Sequence, residues 1–281
     1  MKIIHTRREM FAFAREHAEK VGFIPTMGYL HAGHFSLIER AKNENSITVV
    51  SIFINPAQFN NPEDFEKYPI DIDKDIAELE RLKVDALFLP TRDEIYPHGI
   101  PTIRLLYPNL MNQLCGAHRA GHFEGVLLIV HNLFQWVNPA RAYFGLKDYQ
   151  QYLLIKKMVS DLEFRVDVVG CAMIRESDGL ALSSRNVRLS LNARQEALKI
   201  SQALFAVRNL LQEKRILPHE VKGVLNEKME NLQIEYANIY DAKTLLELKE
   251  HNPPSPKRAA IIAVAAVIDE VRLIDNVLID I

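Results

Sequence analysis

The sequence predicts an α/β fold, a Rossmann-like doubly wound parallel sheet followed by a smaller C-terminal α+β domain. Two observations carry this. Over the first two-thirds of the 281 residues, short β-rich runs alternate with stretches of helical periodicity, the pattern of parallel strands joined by crossover helices. Beyond Gly179 the texture changes to two amphipathic helical stretches and then a set of strands that reads as antiparallel. The change sets an expected division of residues 1–175 from 176–281.

Taken in order, residues 21–24 form a short apolar strand that runs into the turn-like Pro25-Thr26-Met27-Gly28. A helix is expected from near His34, with Leu37, Ile38 and Ala41 on one face. Residues 47–54, ITVVSIFI, are the continuous run of a strand covered on both sides. Ile72, Ile76 and Leu79 give 71–82 helical spacing, and 86–89 is the next buried strand. Stretches 123–136 and 149–162 read as helices with a strand at 142–144 between them, and 164–169 closes the series. Such sheets bind ligands beyond the carboxyl ends of their strands, which places chemistry after Ile24, Ile54 and Phe144. In the second part, helices at 193–213 and 219–231 precede strands at 235–239, 260–268 and 271–274. The Pro-rich stretch 251–257 is expected to be an exposed loop.

Composition excludes several function classes. A formal net charge of −2 with 25% charged residues offers no broad basic face for nucleic acid. Cys115 and Cys171 are the only cysteines and form no Cys-x-x-Cys pair, which argues against a disulfide framework or thiolate zinc site and suits a reducing cytoplasm. The first ten residues are too polar for a secretory signal, and the longest apolar run, 259–268, is about half of what a membrane crossing needs. A soluble, cytoplasmic protein with neither nucleic-acid nor membrane partners is expected.

The sharpest local feature is Pro25-Thr26-Met27-Gly28-Tyr29-Leu30-His31-Ala32-Gly33-His34. His31 and His34 share one face at the start of a helix, Gly33 removes a side chain where a phosphate would approach, and the N–H groups of the helix start favour an anion. A metal reading of this pair needs a third ligand, which does not follow nearby. A pair of surface histidines is the bland alternative. Gln58, after the strand at 47–54, offers an acceptor and two donors suited to a hydroxy acid, against the alternative of an ordinary loop glutamine. Asn55 is expected to line the same pocket. Lys147 supplies a point charge after the strand at 142–144, Asp148 suits a helix cap, and Gln151 follows on the same side. Ser183-Ser184-Arg185 offers two hydroxyls and a guanidinium fork for a polyphosphate, behind the turn signal Asp178-Gly179. His118 and His122 read as a structural loop or pocket lid rather than metal ligands. Asp75 reads as a solvated carboxylate on a polar helix shared with Asp71 and Asp73.

The motif from Pro25 to His34 resembles the His-x-Gly-His signature of the nucleotidylyltransferase superfamily and, with Pro25-Thr26-Met27-Gly28, the pantothenate synthetase family. Ser51-Ile52-Phe53-Ile54-Asn55-Pro56-Ala57-Gln58-Phe59, Phe144-Gly145-Leu146-Lys147-Asp148-Tyr149-Gln150-Gln151, Arg175 through Asn186, and Arg272-Leu273-Ile274-Asp275-Asn276 are similar to further segments of that family, in order, over nearly the whole chain. The resemblance implies condensation of pantoate with β-alanine through a pantoyl adenylate, with ATP as the nucleotide substrate and Mg2+ bridging its phosphate oxygens. It assigns ATP to Met27, Gly28, Tyr29, Leu30, His31, Ala32, Gly33 and His34, to Gly145, Leu146, Lys147 and Asp148, to Ile174, and to Leu182, Ser183, Ser184 and Arg185. Pantoate falls to Gln58, Gln151 and Asn55, β-alanine also to Gln58, and Asp75 aligns near the magnesium-bound phosphates. His34, His31, Lys147 and Arg185 become the catalytic charge-neutralising set, residues 1–175 the nucleotide- and pantoate-binding domain, and a homodimer the expected assembly.

The chain departs from the family pattern at Leu146, Ile70, Tyr29, Ala120 and the Asp269-Glu270 turn, none of them a histidine or glutamine of the site. The rival expectations are another nucleotidylyltransferase, which the matched Gln58 and Gln151 argue against, and a nucleotide-binding paralogue of weakened turnover, which His34, Lys147 and Arg185 argue against.

Overall fold

A computed structural model of the chain describes residues 1–18, 20–249 and 259–281; the expected Pro-rich loop at 251–257 lies outside them. The chain forms two compact units, one of residues 1–107 and 119–172, the other of 108–118 and 173–281.

The first unit is built on a six-stranded sheet. Its strands are β1 (Lys2–Ile4), β2 (Val21–Thr26), β3 (Ile47–Ile52), β4 (Ala86–Phe88), β5 (Arg141–Gly145) and β6 (Asp167–Cys171), in the spatial order β1-β4-β3-β2-β5-β6 with every pairing parallel. The helices that return the chain are α1 (Arg7–Glu16), α2 (Ala32–Glu44), α3 (Pro62–Glu66), α4 (Ile72–Arg81) and α5 (Arg92–Ile95). After α6 (Pro108–Met111) and α7 (Leu114–His118), which belong to the second unit, α8 (His122–Val137) and α9 (Tyr149–Asp161) complete the first. Val49, Val50, Phe23 and Ile24 are fully buried, as the continuous apolar runs require of strands covered on both faces. From β2 the chain steps one way to β3 and β4 and later the other way to β5 and β6. The strand order therefore reverses between β2 and β5, and a parallel sheet opens a crevice at that point.

Several boundaries differ from the sequence expectation. The helix expected near His34 begins at Ala32, because His31 is its N-cap. β3 stops at Ile52 rather than at residue 54. The last strand of the sheet starts at Asp167, three residues later than expected. β1 and α1 were not anticipated. Thr6 and Glu9 close a reciprocal capping box on α1, with Thr6 Oγ1 accepting from Glu9 N at 3.2 Å and Glu9 Oε2 accepting from Thr6 N at 3.1 Å.

The second unit packs α10 (Leu191–Gln212) and α11 (Val221–Lys228) with an antiparallel sheet of β7 (Gln233–Asp241), β8 (Ala259–Ile268) and β9 (Val271–Asp280), in that spatial order. Ala197, Leu204, Val207, Ile262 and Val264 are all fully buried in its core. β9 is far longer than the expected 271–274. Asp275 and Asn276 interrupt the apolar alternation, but they are 4% and 9% exposed and hydrogen-bonded, so the strand continues through them.

Candidate active site

The loop after β2 turns sharply: Gly28 at φ 81° and Tyr29 at φ 52° both occupy the left-handed region. A Cβ on Gly28 would lie 3.0 Å from both Asp75 Oδ2 and Ile52 Cγ2, so a side chain there would push on both neighbours as well. The turn aims two successive amides at α4. Tyr29 N donates to Asp75 Oδ2 and Leu30 N to Asp75 Oδ1, each at 2.7 Å. Asp75 is 1% exposed and burial pushes its carboxyl up, so the bland alternative of a solvated helix carboxylate does not hold.

His31 and His34 then cap one another. Gly33 N donates to His31 Nδ1 at 3.1 Å, and His31 N donates to His34 Nδ1 at 3.3 Å. The logic is that of a capping box, with imidazoles in both places. The rings lie 4.1 Å apart. A ring nitrogen that accepts an N–H carries no proton there, so a neutral ring in either position is protonated at Nε2. Desolvation by burial, reinforced by His31 and by the positive charge of Lys147, lowers the His34 pKa to about 3. The N–H groups of Tyr29, Leu30, His31 and Gly33 are engaged within the protein, each on a side chain of this loop, of α2 or of α4.

Lys147 enters from the other side of the switch point. It lies just after β5 in a short 3-10 turn (Leu146–Asp148), with its Nζ 3.6 Å from Asp148 Oδ2. Asp148 occupies the N-cap position of α9 but makes no side-chain capping bond, contrary to the capping expectation. Gln151 lies in the first turn of α9 and is half-buried. β2 and β5 are adjacent, so the structure brings His31, His34 and Lys147 to one end of the sheet.

After β3, Asn55 is 1% exposed and its amide is saturated inside the protein. Nδ2 donates to Gln58 Oε1 at 3.1 Å and to Gly125 O at 3.0 Å; Oδ1 accepts from Ala57 N at 3.2 Å and from Tyr96 Oη at 2.8 Å. Asn55 is thus tied into the turn that carries Gln58. With both donors and both lone pairs taken, it orients Gln58. The Gln58 amide nitrogen lies 3.0 Å from Met27 Sδ. His122, expected in a loop or lid, opens α8 and is 8% exposed. Its Nδ1 donates to Gln58 O at 2.7 Å, and its Nε2 lies 3.0 Å from Arg119 Nη1. His118 falls in the other unit. Gly125 completes the brace: a Cβ would come within 2.2 Å of Ala57 O, so only glycine lets α8 approach this turn. Tyr96 and Gly125 were not expected beside Gln58. An isolated glycine inside a strong helical pattern was the one available signal.

The remaining expected residues belong to the second unit. Leu182 N donates to Ile174 O at 3.1 Å, and Glu176 N to Leu180 O at 2.8 Å, closing a turn at Gly179 (φ 96°). Ser183 caps a 3-10 turn (Ser184–Arg188) by accepting from Arg185 N at 3.3 Å. This loop is firmly braced. Arg175 grips Asp275 through two bonds of 2.6 and 2.7 Å, and Arg194 bonds Glu176 at 2.7 Å and Asp178 at 2.5 Å. Hydrogen bonds from Arg194 hold the Glu176 carboxyl below its ordinary range. The Arg272–Asn276 segment thus takes part through Asp275, while Arg272 pairs with Glu235 at 2.8 Å.

Among the described residues, no group of three or more His, Cys, Asp or Glu side chains could hold a metal ion, and no helix is long and apolar enough to cross a membrane. Both Asp75 oxygens are already bonded to the loop. The described residues therefore offer no ready-made cluster of protein ligands for magnesium.

Fold and site together define a class: doubly wound α/β proteins that present anion-directed donors at the switch point of a parallel sheet. The family model described as pantoate-beta-alanine ligase matches residues 2–278. A pantothenate synthetase of Thermodesulfovibrio yellowstonii is 46% identical over 284 aligned residues, covering 100% of this chain and 99% of the relative. The crystal structure of pantothenate synthetase from Thermus thermophilus superposes with a TM-score of 0.90 at 42% identity, covering 99% of each chain. That of the pantoate-beta-alanine ligase from Francisella tularensis, complexed with beta-gamma ATP and beta-alanine, has a TM-score of 0.81 at 37% identity, covering 99% of this chain and 97% of the other. The chain belongs to the pantoate–β-alanine ligase family.

Proposed function

We propose that this chain condenses pantoate with β-alanine at the expense of ATP, releasing AMP and pyrophosphate. The observation that carries the reading within the family is the cross-capped pair of imidazoles, with Lys147 beside it, at the carboxyl ends of β2 and β5. A carboxylate does not acylate an amine until one of its oxygens becomes a good leaving group. In the first step a carboxylate oxygen of pantoate attacks the α-phosphorus of ATP. The bond to the bridging oxygen breaks, and pyrophosphate leaves with the electron pair. In the second, the β-alanine nitrogen attacks the acyl carbon, AMP departs with the C–O electrons, and the amine gives up a proton.

The first step joins two anions, so its main demand is charge neutralisation. The Nε2–H donors of His31 and His34 and the Lys147 ammonium serve that demand. His34 acts as a neutral donor, consistent with its lowered pKa. In this reading ATP also contacts residues 27–34 and 145–148, Ile174, and Leu182 through Arg185, with Arg185 neutralising phosphate charge. Gln58, Gln151 and Asn55 hold pantoate, Gln58 also meets β-alanine, and Asn55 fixes the Gln58 amide. Magnesium travels with ATP on its phosphate oxygens, and no step is assigned to it. Residues 1–175 then form the nucleotide- and pantoate-binding domain and 176–281 the smaller domain of a cytoplasmic homodimer.

The test is AMP formation from ATP with pantoate, with β-alanine first omitted and then added. Pantoate-dependent ATP–pyrophosphate exchange is expected without β-alanine, and an amide product only with it. His34→Ala should keep the fold and lose about two to three orders of magnitude in adenylation, as removal of one preorganised oxyanion donor does. Exchange that proceeds without pantoate would overturn the reading.

A further inference from the structure

Asp75 differs from the acidic residues beside it on α4. Asp71 caps that helix by accepting from Lys74 N at 3.2 Å, and Asp73 is exposed. Asp75 alone is buried, and its two oxygens accept from two consecutive amides of the loop after β2 at 2.7 Å each. Successive amides turned the same way form a concave anion site of the kind that holds phosphate in other proteins. Here the protein fills it with its own carboxylate. The left-handed conformations at Gly28 and Tyr29 turn the amides inward, and a Cβ on Gly28 would press on Oδ2 at 3.0 Å.

We propose that Asp75 is a positioning residue for adenylation: it clamps Tyr29 and Leu30 so that His31 and His34, next in the chain, present Nε2 in a fixed geometry, and it does not ligate magnesium. The proposal rests on the ligase reading. Without the clamp, the nucleotide itself must order the loop, so the loss falls on ATP. The Asn55–Gln58 brace is built from β3, α8 and Tyr96, and it keeps its geometry.

The test substitutes Asp75→Asn, which keeps the shape but sets an NH2 group against one of the two amides. Steady-state rates are measured over varied ATP, pantoate and magnesium beside the unsubstituted protein. The KM for ATP should rise about tenfold, the order expected for losing one charge-assisted hydrogen bond. The KM for pantoate and the magnesium concentration at half-maximal rate should stay unchanged. A raised magnesium requirement with an unchanged KM for ATP would make Asp75 a metal ligand and overturn the proposal. So would unaltered kinetics accompanied only by a lower melting temperature. Hydrogen exchange on the ligand-free, unsubstituted protein needs neither turnover nor a folded variant. The Tyr29 and Leu30 amides should be protected; free exchange at both overturns the clamp. Protection in a protein that makes no pantoyl adenylate would instead refute the ligase reading and leave the clamp standing.

Discussion

The ring of His34 is neutral for reasons visible in its neighbours: burial, the adjacent His31 and the Lys147 charge all penalise a second proton. Its pKa is lowered from 6.5 to about 3, so its NMR resonances should hold steady from about pH 5 to 8. An inflection near 6.5 would contradict the arrangement. The same shift has a sign for stability. The unfolded chain takes up this proton first as pH falls, so the contribution of His34 is complete above about pH 6.5 and is lost progressively between there and about 3. At this scale the sequence singles out His31, His34, Gln58 and Lys147 as candidates, because each follows a strand end. It does not expose the role of Asn55, whose partners Tyr96 and Gly125 lie 41 and 70 residues away.

Among the elements, periodicity locates the long helices and buried strands, and it fails where polar residues are satisfied by distant partners. β9 extends through Asp275 because Arg175, 100 residues earlier, neutralises it with a two-pronged bond. α1 opens on a Thr-x-x-Glu capping box, a short start signal on a helix of only ten residues. The two-residue turn joining β8 and β9 places Asp269 at φ 48° and Glu270 at φ 62°, a conformation that suits glycine or asparagine. Glu270→Gly should stabilise the protein by about 1 kcal/mol. The expected rise in melting temperature is roughly 2–4 °C by calorimetry.

For the molecule as a whole, the alternation of strand and helix announces the parallel sheet, and the change of texture after Gly179 announces the antiparallel one. That α6 and α7 belong with the second unit is not legible, since short helices at 108–111 and 114–118 leave no long periodic trace. The proposed homodimer predicts a particle of twice the chain mass by light scattering at micromolar concentration; a monomer there would count against it.

The mutual capping of His31 and His34 carries a consequence for how this site tolerates change. Each imidazole supports backbone that the other depends on, so the two are energetically one object. Replacing either ring disturbs a pair of donors at once, and the penalties for losing one or both overlap instead of summing.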